Sequence, residues 1–115
     1  IIEHKRHLAS LYFNNLKDDF ILPIKNELFF DVYHIFNVRH SQRDRLKKYL
    51  FDNNILTEIH YPVPPHEQNA LKSISGINNI YPISKLIHET TLSLPISYIH
   101  SDDDIYKVIE VMNKF

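Results

Sequence analysis

The side chains best suited to chemistry stand close together in one stretch, IHYPVPPHEQ at residues 59–68. His60 and His66 can donate hydrogen bonds to anionic oxygens. Tyr61 offers a hydroxyl and a flat aromatic face, and Gln68 can both donate and accept. These groups suit recognition of a polar ligand, and no local motif in the chain completes them into a whole active site.

The same stretch holds three of the chain's six prolines. Each proline fixes φ, lacks an N–H donor and pushes the preceding residue toward extended conformations, so neither a regular helix nor a regular strand is expected here. Pattern alone leaves two interpretations equally open. The stretch is either a recognition site or a loop packed on its own domain, with Tyr61 and the prolines over the core and the histidines in solvent.

Metal binding is the weaker interpretation of the histidines and acids. In an extended segment the rings of His60 and His66 lie over ~15 Å apart, at about 3.3 Å per residue, which is too far for one ion. His4 and His7 share a helical face, but their basic neighbours favour a solvated surface. The acidic run at residues 102–104 is explained by a helix N-terminus, where carboxylates are favourable.

Composition excludes several classes of function. The net charge is −1, from 13 basic and 14 acidic residues, so neither a nucleic acid nor an anionic membrane is an expected partner. Because cysteine is absent, a disulfide framework, a thiolate metal site and a cysteine nucleophile are excluded. The single glycine, Gly76, leaves no phosphate-binding glycine-rich loop. No apolar run approaches the roughly 20 residues that span a bilayer, and a soluble, cytoplasmic protein is expected.

Hydrophobic periodicity predicts four helices and three strands. The helices are expected over residues 1–18, 41–53, 82–91 and 101–115, and the strands over residues 32–38, 55–59 and 92–96. One or two helical turns at residues 67–72 and a surface loop at residues 73–81 complete the chain. The order predicts an α+β fold: a small, partly antiparallel three-stranded sheet with helices packed on one face.

Individual residues refine these elements. His34 falls inside the first strand and is expected as a hydrogen-bonded core histidine. Ser41 and Asp44 have the spacing of a capping box for the second helix, and Asn54 is a natural left-handed stop after it. Ser101 is expected to cap the last helix.

Several motifs together resemble the C-terminal small domain of the DegT/DnrJ/StrS sugar aminotransferases. The most specific are ILTEIHYPVPPHEQ at residues 55–68 and LSLPI at residues 92–96. The pair YP at residues 81–82 and the closing helix DIYKVIEVMNKF fit the same pattern. EHKRHLASLYFNNL resembles the helix that leads into that domain, and VYHIFNVR with SQRDRLKKYL resembles its first strand and helix.

The resemblance implies a pyridoxal-phosphate enzyme that transfers an amino group, usually from glutamate, to a ketone on a nucleotide-linked sugar. In this family the cofactor-binding lysine and most cofactor contacts lie in a large N-terminal domain, and no segment here resembles them. Residues 1–115 are therefore expected to be the small domain of a fold-type I aminotransferase, with residues 1–18 as the lead-in helix, inactive alone. The absence of an initiator methionine also suggests a fragment.

The resemblance assigns substrate binding to His60, Tyr61, His66 and Gln68, with the first two lining the cleft against sugar or pyrophosphate. HYPVPPH and TTLSLPIS are most similar to members that act on the 3-keto position of dTDP-linked 6-deoxyhexoses. A homodimer that serves lipopolysaccharide or another surface glycan is implied for the full-length enzyme. An autonomous, non-enzymatic α+β binding domain is the alternative hypothesis.

Overall fold

The computed structural model describes residues 1–74 and 80–115, which contain the four predicted helices and two of the three predicted strands. The elements are α1 Ile2–Asn15, β1 Phe36–Arg39, α2 Arg43–Asp52, α3 Pro82–Thr90, β2 Thr91–Leu94 and α4 Asp102–Asn113, with short 3-10 helices at Pro65–Glu67 and Asn69–Leu71. The predicted α+β class is confirmed. In the predicted surface loop at residues 73–81, residues 75–79, which include Gly76, lie outside the described residues.

The core forms where α1, α4, α2 and the sheet meet. The helices α1, α2 and α4 and both strands supply fully buried apolar side chains, among them Leu8, Tyr12, Phe36, Val38, Leu46, Leu92, Ile105 and Met112. The Tyr12 ring stacks on Phe36 with centroids 4.9 Å apart, and its hydroxyl donates to the carbonyl of Pro95 at 2.7 Å. Burial raises the pKa of Tyr12 because the phenolate would lose its hydration.

The contact between α1 and α4 uses the two histidines near the start of α1. His4 Nε2 donates to the carbonyl of His100 at 2.8 Å, and His7 Nε2 lies 2.9 Å from the Asp102 carboxylate. His7 is half exposed, which agrees with the predicted solvated face, whereas His4 is partly buried. Both have partners because the first turn of α4 packs beside α1.

The sheet has two antiparallel strands instead of the predicted three. β1 and β2 pair in a register that sets Asn37 opposite Ser93. The predicted strand at residues 55–59 contributes a single bridge, in which Glu58 exchanges both backbone hydrogen bonds with Ser93. The next hydrogen-bonded pair would need an N–H from Pro95, which has none. At the other end, Arg43 Nη1 already donates to the carbonyl of Thr91.

The first strand starts four residues later than predicted, at Phe36. Tyr33 has a positive φ of 46°, which is incompatible with continuous extended backbone through the predicted range. His34 is consequently exposed, and its carbonyl accepts a hydrogen bond from Lys5 Nζ at 2.9 Å. The expectation of a core histidine was wrong.

The boundaries of α2 were predicted better than its cap. The helix begins at Arg43 without a side-chain cap, and Asp44 pairs with Arg43 Nε at 2.6 Å, so the capping box with Ser41 was wrong. The hydrogen bond from the Arg43 guanidinium to the Asp44 carboxylate is charge-assisted and therefore stronger than one from a neutral backbone N–H. Asn54 adopts a φ of 61° after the helix, which confirms the predicted left-handed stop.

The start of α4 is confirmed. The Ser101 hydroxyl accepts from the Asp104 N–H, and the Asp104 carboxylate accepts from the Ser101 N–H, which completes a capping box. These hydrogen bonds from Ser101 hold the pKa of Asp104 below its usual value because they favour the ionised form. α3 also begins at the predicted residue, Pro82, which suits a first helical position.

Candidate functional site

The proline-rich stretch leaves the sheet edge directly after the Glu58 bridge and runs without regular strand structure to the 3-10 helix Pro65–Glu67. Pro64 is buried, whereas the Tyr61 side chain is 66% exposed. The peptide bond between His60 and Tyr61 is cis. The stretch is thus anchored at both ends and presents Tyr61 outward.

His60 is held by a polar connection that crosses the whole sheet. Its Nδ1 lies 2.8 Å from the hydroxyl of Ser93, and that hydroxyl donates to the side-chain carbonyl of Asn37. Ser93 is 5% exposed and His60 is half-buried. Because Asn37 and Ser93 are direct cross-strand partners, the sheet register itself places the acceptors for the ring.

A small groove of about 170 Å³ opens beside this ring. Its polar lining comes from His34, Thr57, Glu58, His60 and Ser93. The Thr57 hydroxyl is buried and has no hydrogen-bond partner within the described ranges. Two histidines from separate loops therefore share one groove, although the sequence had suggested that His34 was internal.

Tyr61 is joined to α3 through its backbone. Its carbonyl accepts a hydrogen bond from His88 Nδ1, and its ring meets the His60 ring edge-on with centroids 5.5 Å apart. Arg43, whose side chain is 10% exposed, fixes the end of α3 by donating to the carbonyls of His88 and Thr91 at 3.0 Å each. The orientation of Tyr61 thus depends on the end of α3.

His66 and Gln68 occupy different surroundings from His60. The His66 side chain is only 14% exposed, packs against the Tyr81 ring at 4.8 Å and lies 3.7 Å from the Glu67 carboxylate. Gln68 donates to the carbonyl of Val63 at 3.4 Å. Neither residue lines the groove of His60, although Gln68 shares a shallow hollow with Tyr61.

Two residues of the site were missed by sequence reasoning, Ser93 and Asn37. The available signal was their position, since each is a polar residue flanked on both sides by apolar residues within a strand. Buried polar side chains need partners, and two such residues on paired strands can supply each other.

The groove of His60 does not by itself suit pyridoxal phosphate. A covalent cofactor site requires a lysine, and no lysine is among the residues that line this groove. Lys47 comes near, but its ammonium group donates to the carbonyl of Thr57 at 2.9 Å. This groove therefore offers no lysine for covalent attachment of the cofactor.

Residues 1–74 and 80–115 contain neither a candidate metal cluster nor a candidate membrane-spanning helix. No cluster of three or more histidine, aspartate or glutamate side chains in these ranges could hold a metal ion. In the same ranges, every helix is too short or too polar to cross a bilayer.

The fold is that of sugar aminotransferases. The structure of DesV from S. venezuelae, solved with a ketimine intermediate, superposes with a TM-score of 0.91 at 28% identity, covering 97% of this chain and 31% of DesV. A DegT/DnrJ/EryC1/StrS aminotransferase from Brucella abortus gives a TM-score of 0.90 at 28% identity, covering 98% of this chain and 30% of that protein.

The chain belongs to the DegT/DnrJ/EryC1/StrS aminotransferase family, whose sequence profile matches residues 1–113. Among curated relatives, it is 37% identical over 114 residues to dTDP-3-amino-3,6-dideoxy-alpha-D-galactopyranose transaminase from Aneurinibacillus thermoaerophilus. That match covers 98% of this chain and 31% of the relative. The chain thus spans about a third of the length of the proteins it matches.

Proposed function

We propose that residues 1–115 form the C-terminal small domain of a pyridoxal-phosphate-dependent nucleotide-sugar aminotransferase, with residues 1–18 as its lead-in helix. The supporting observation is the asymmetry of coverage, since nearly the whole chain matches only 31% of the relative from A. thermoaerophilus. The apolar face of α3, which is left exposed, fits a domain that belongs to a larger protein.

The substrate of the full-length enzyme is a nucleotide-linked keto sugar, and the product is the corresponding amino sugar. The name of the A. thermoaerophilus relative describes a dTDP-linked 3-amino-3,6-dideoxy sugar, which supports a dTDP-linked 6-deoxy sugar with a ketone at position 3. Glutamate is the amino donor in this proposal. The product serves a surface glycan such as lipopolysaccharide, and the enzyme acts as a cytoplasmic homodimer.

Within that enzyme this chain forms one rim of the substrate cleft. His60 is the strongest candidate because one ring nitrogen is held by Ser93 while Nε2 has no hydrogen-bond partner in the described part of the chain. Tyr61 presents an exposed ring beside it. His66 and Gln68, which pack within the loop, contribute to binding mainly by holding its shape.

Pyridoxal phosphate supplies the electron sink for amino transfer, and in this proposal the N-terminal domain holds it through a lysine. The role of the present residues is narrower. They bind and orient the nucleotide sugar, and the loop covers the ligand so that water is excluded.

The test compares the full-length enzyme with the isolated 115-residue chain. Both are mixed with pyridoxal phosphate, dialysed and examined for bound-cofactor absorbance, and amino transfer is measured as 2-oxoglutarate formed from glutamate with a dTDP-linked 3-keto-6-deoxy sugar. Cofactor binding and turnover are expected for the full-length enzyme alone.

Two results would contradict the proposal. Covalent retention of the cofactor by the isolated chain would show that the cofactor lysine lies among these residues. A full-length enzyme that binds the cofactor but transfers no amino group to nucleotide-linked keto sugars would exclude the substrate class.

A further inference from the structure

The hydrogen bonds between Asn37, Ser93 and His60 determine which nitrogen of His60 carries the proton. We propose that Ser93 and Asn37 are positioning residues that keep the proton of the neutral His60 ring on Nδ1, so that Nε2 accepts a hydrogen bond from a sugar hydroxyl. This inference rests on the proposed function, because it names the part of the nucleotide sugar that His60 recognises.

The direction of the hydrogen bonds follows from counting protons. A serine hydroxyl has a single proton, and in this structure Ser93 donates it to the side-chain carbonyl of Asn37. The serine oxygen can then only accept from His60 Nδ1, which lies 2.8 Å away. A neutral imidazole has one N–H, so the proton on Nδ1 leaves a lone pair on Nε2.

The surroundings keep this arrangement in place. Asn37 and Ser93 face each other in the β1–β2 register, and the neighbouring strand residues Phe36, Val38 and Leu92 are fully buried. Ser93 also exchanges backbone hydrogen bonds with Glu58, two residues before His60. One buried serine therefore fixes both the path of the loop and the tautomer of the ring.

An accepting Nε2 selects among the groups of a nucleotide sugar. A sugar hydroxyl can donate to it, whereas the oxygens of an ionised pyrophosphate have no proton to give. The sequence suggested that His60 donates to anionic oxygens, and the hydrogen-bond geometry reverses that role for the neutral ring. His60 is accordingly assigned to the sugar ring.

The tautomer can be tested without any activity. Two-bond ¹H–¹⁵N correlation spectra of full-length enzyme labelled at histidine distinguish Nδ1–H from Nε2–H rings, and His60→Gln identifies the resonance. We expect the Nδ1–H pattern in the unmodified enzyme and in Ser93→Thr, and a shift toward the Nε2–H form in Ser93→Ala. An Nε2–H ring in the unmodified enzyme, or a pattern unaffected by Ser93→Ala, would overturn the proposal.

The specificity is tested by kinetics with dTDP as the probe. Losing the positioned acceptor is expected to raise KM for the dTDP-linked keto sugar roughly tenfold in Ser93→Ala, with kcat less affected. The inhibition constant of dTDP, which lacks the sugar, should change less than about twofold in the same variant. Equal increases in both constants would assign His60 to the pyrophosphate and contradict the inference.

Controls separate positioning from folding. Ser93→Thr keeps the hydroxyl, and its KM should lie within about threefold of that of the unmodified enzyme. The same result is expected for Asn37→Asp, which keeps an acceptor for that hydroxyl. Ser10→Ala removes a hydroxyl that donates to the carbonyl of His7, outside the groove, and should leave KM unchanged. If the full-length enzyme accepts no nucleotide sugar, the proposed function fails while the tautomer remains measurable.

Discussion

Two amphipathic helices of this protein, α4 and α3, have similar sequence patterns, but the apolar face is buried in α4 and exposed in α3. α4 packs on α1 and buries its apolar face, including Ile105 and Met112, in the common core. In α3, Ile83 is 74% exposed and Leu86 is 50% exposed. The residues that the structure describes bury no residue of α3. Hydrophobic periodicity therefore predicts a helix and its apolar face, but it does not predict whether the same chain covers that face.

The same division separates the packed and the open parts of the molecule. The packed part contains α1, α2, α4 and the sheet, and its polar groups serve as caps and anchors. The open part contains α3 and residues 59–68, which are linked by the hydrogen bond from His88 to Tyr61. The residues proposed for ligand binding lie in the open part, where exposed side chains can meet a partner.

The largest expected effect comes from a matched pair of isoleucines. Ile105→Ala in α4 removes a fully buried side chain and should lower the free energy of unfolding by about 2–4 kcal/mol. Ile83→Ala in α3 should cost less than about 1 kcal/mol because the side chain is 74% exposed. Urea unfolding of the 115-residue chain measures both, and equal losses would remove the distinction between the two helices.

A smaller effect is expected from the buried hydroxyl of Tyr12. Burial raises its pKa in the folded state above the usual 10.0, so the folded protein keeps the proton that the unfolded chain releases. This contribution to stability is present below about pH 10 and is lost as the pH rises above it. Tyr12→Phe removes the hydrogen bond to the carbonyl of Pro95 and should lower the free energy of unfolding by about 1 kcal/mol at neutral pH. Because the variant also lacks the titrating hydroxyl, its free energy of unfolding should fall less steeply at alkaline pH. An unchanged slope would contradict the assignment.

The smallest effect concerns the cap of α4. Ser101→Ala should lower stability by about 1 kcal/mol or less, as for other N-caps. The pKa of Asp104 is lowered in the folded state, so its contribution is present above the ordinary carboxyl pKa and is lost as the pH falls through the folded value. The free energy of unfolding of Ser101→Ala should thus depend less on pH in the acid range. An unaltered pH dependence would show that the capping box does not contribute to acid stability.

Local rules predicted most of the elements. Asn54, Pro82 and Ser101 ended or began helices as expected because each acts through its own backbone or its immediate neighbours. The prediction of a third strand was wrong because its pairing depended on residues distant in the sequence. Pro95 lacks the N–H that the next backbone hydrogen bond of the strand would need, and the carbonyl of Thr91 already accepts a hydrogen bond from Arg43. Neither obstacle is visible in the strand's own sequence.

The candidate site was predicted in part. His60 and Tyr61 were singled out by their types, and they do lie side by side. The partners of His60 were missed because Ser93 follows it by 33 residues and Asn37 precedes Ser93 by 56, and only the folded sheet brings the three together.

The central claim is that residues 59–68 form a recognition rim. His60→Ala in the full-length enzyme tests it most directly, with KM for the dTDP-linked keto sugar and the unfolding midpoint measured on the same preparation. The account predicts a KM raised roughly tenfold and a free energy of unfolding within about 1 kcal/mol, because Ser93 keeps its hydrogen bond to Asn37. Unchanged kinetics with a clear loss of stability would contradict it and would make the stretch a packed connector.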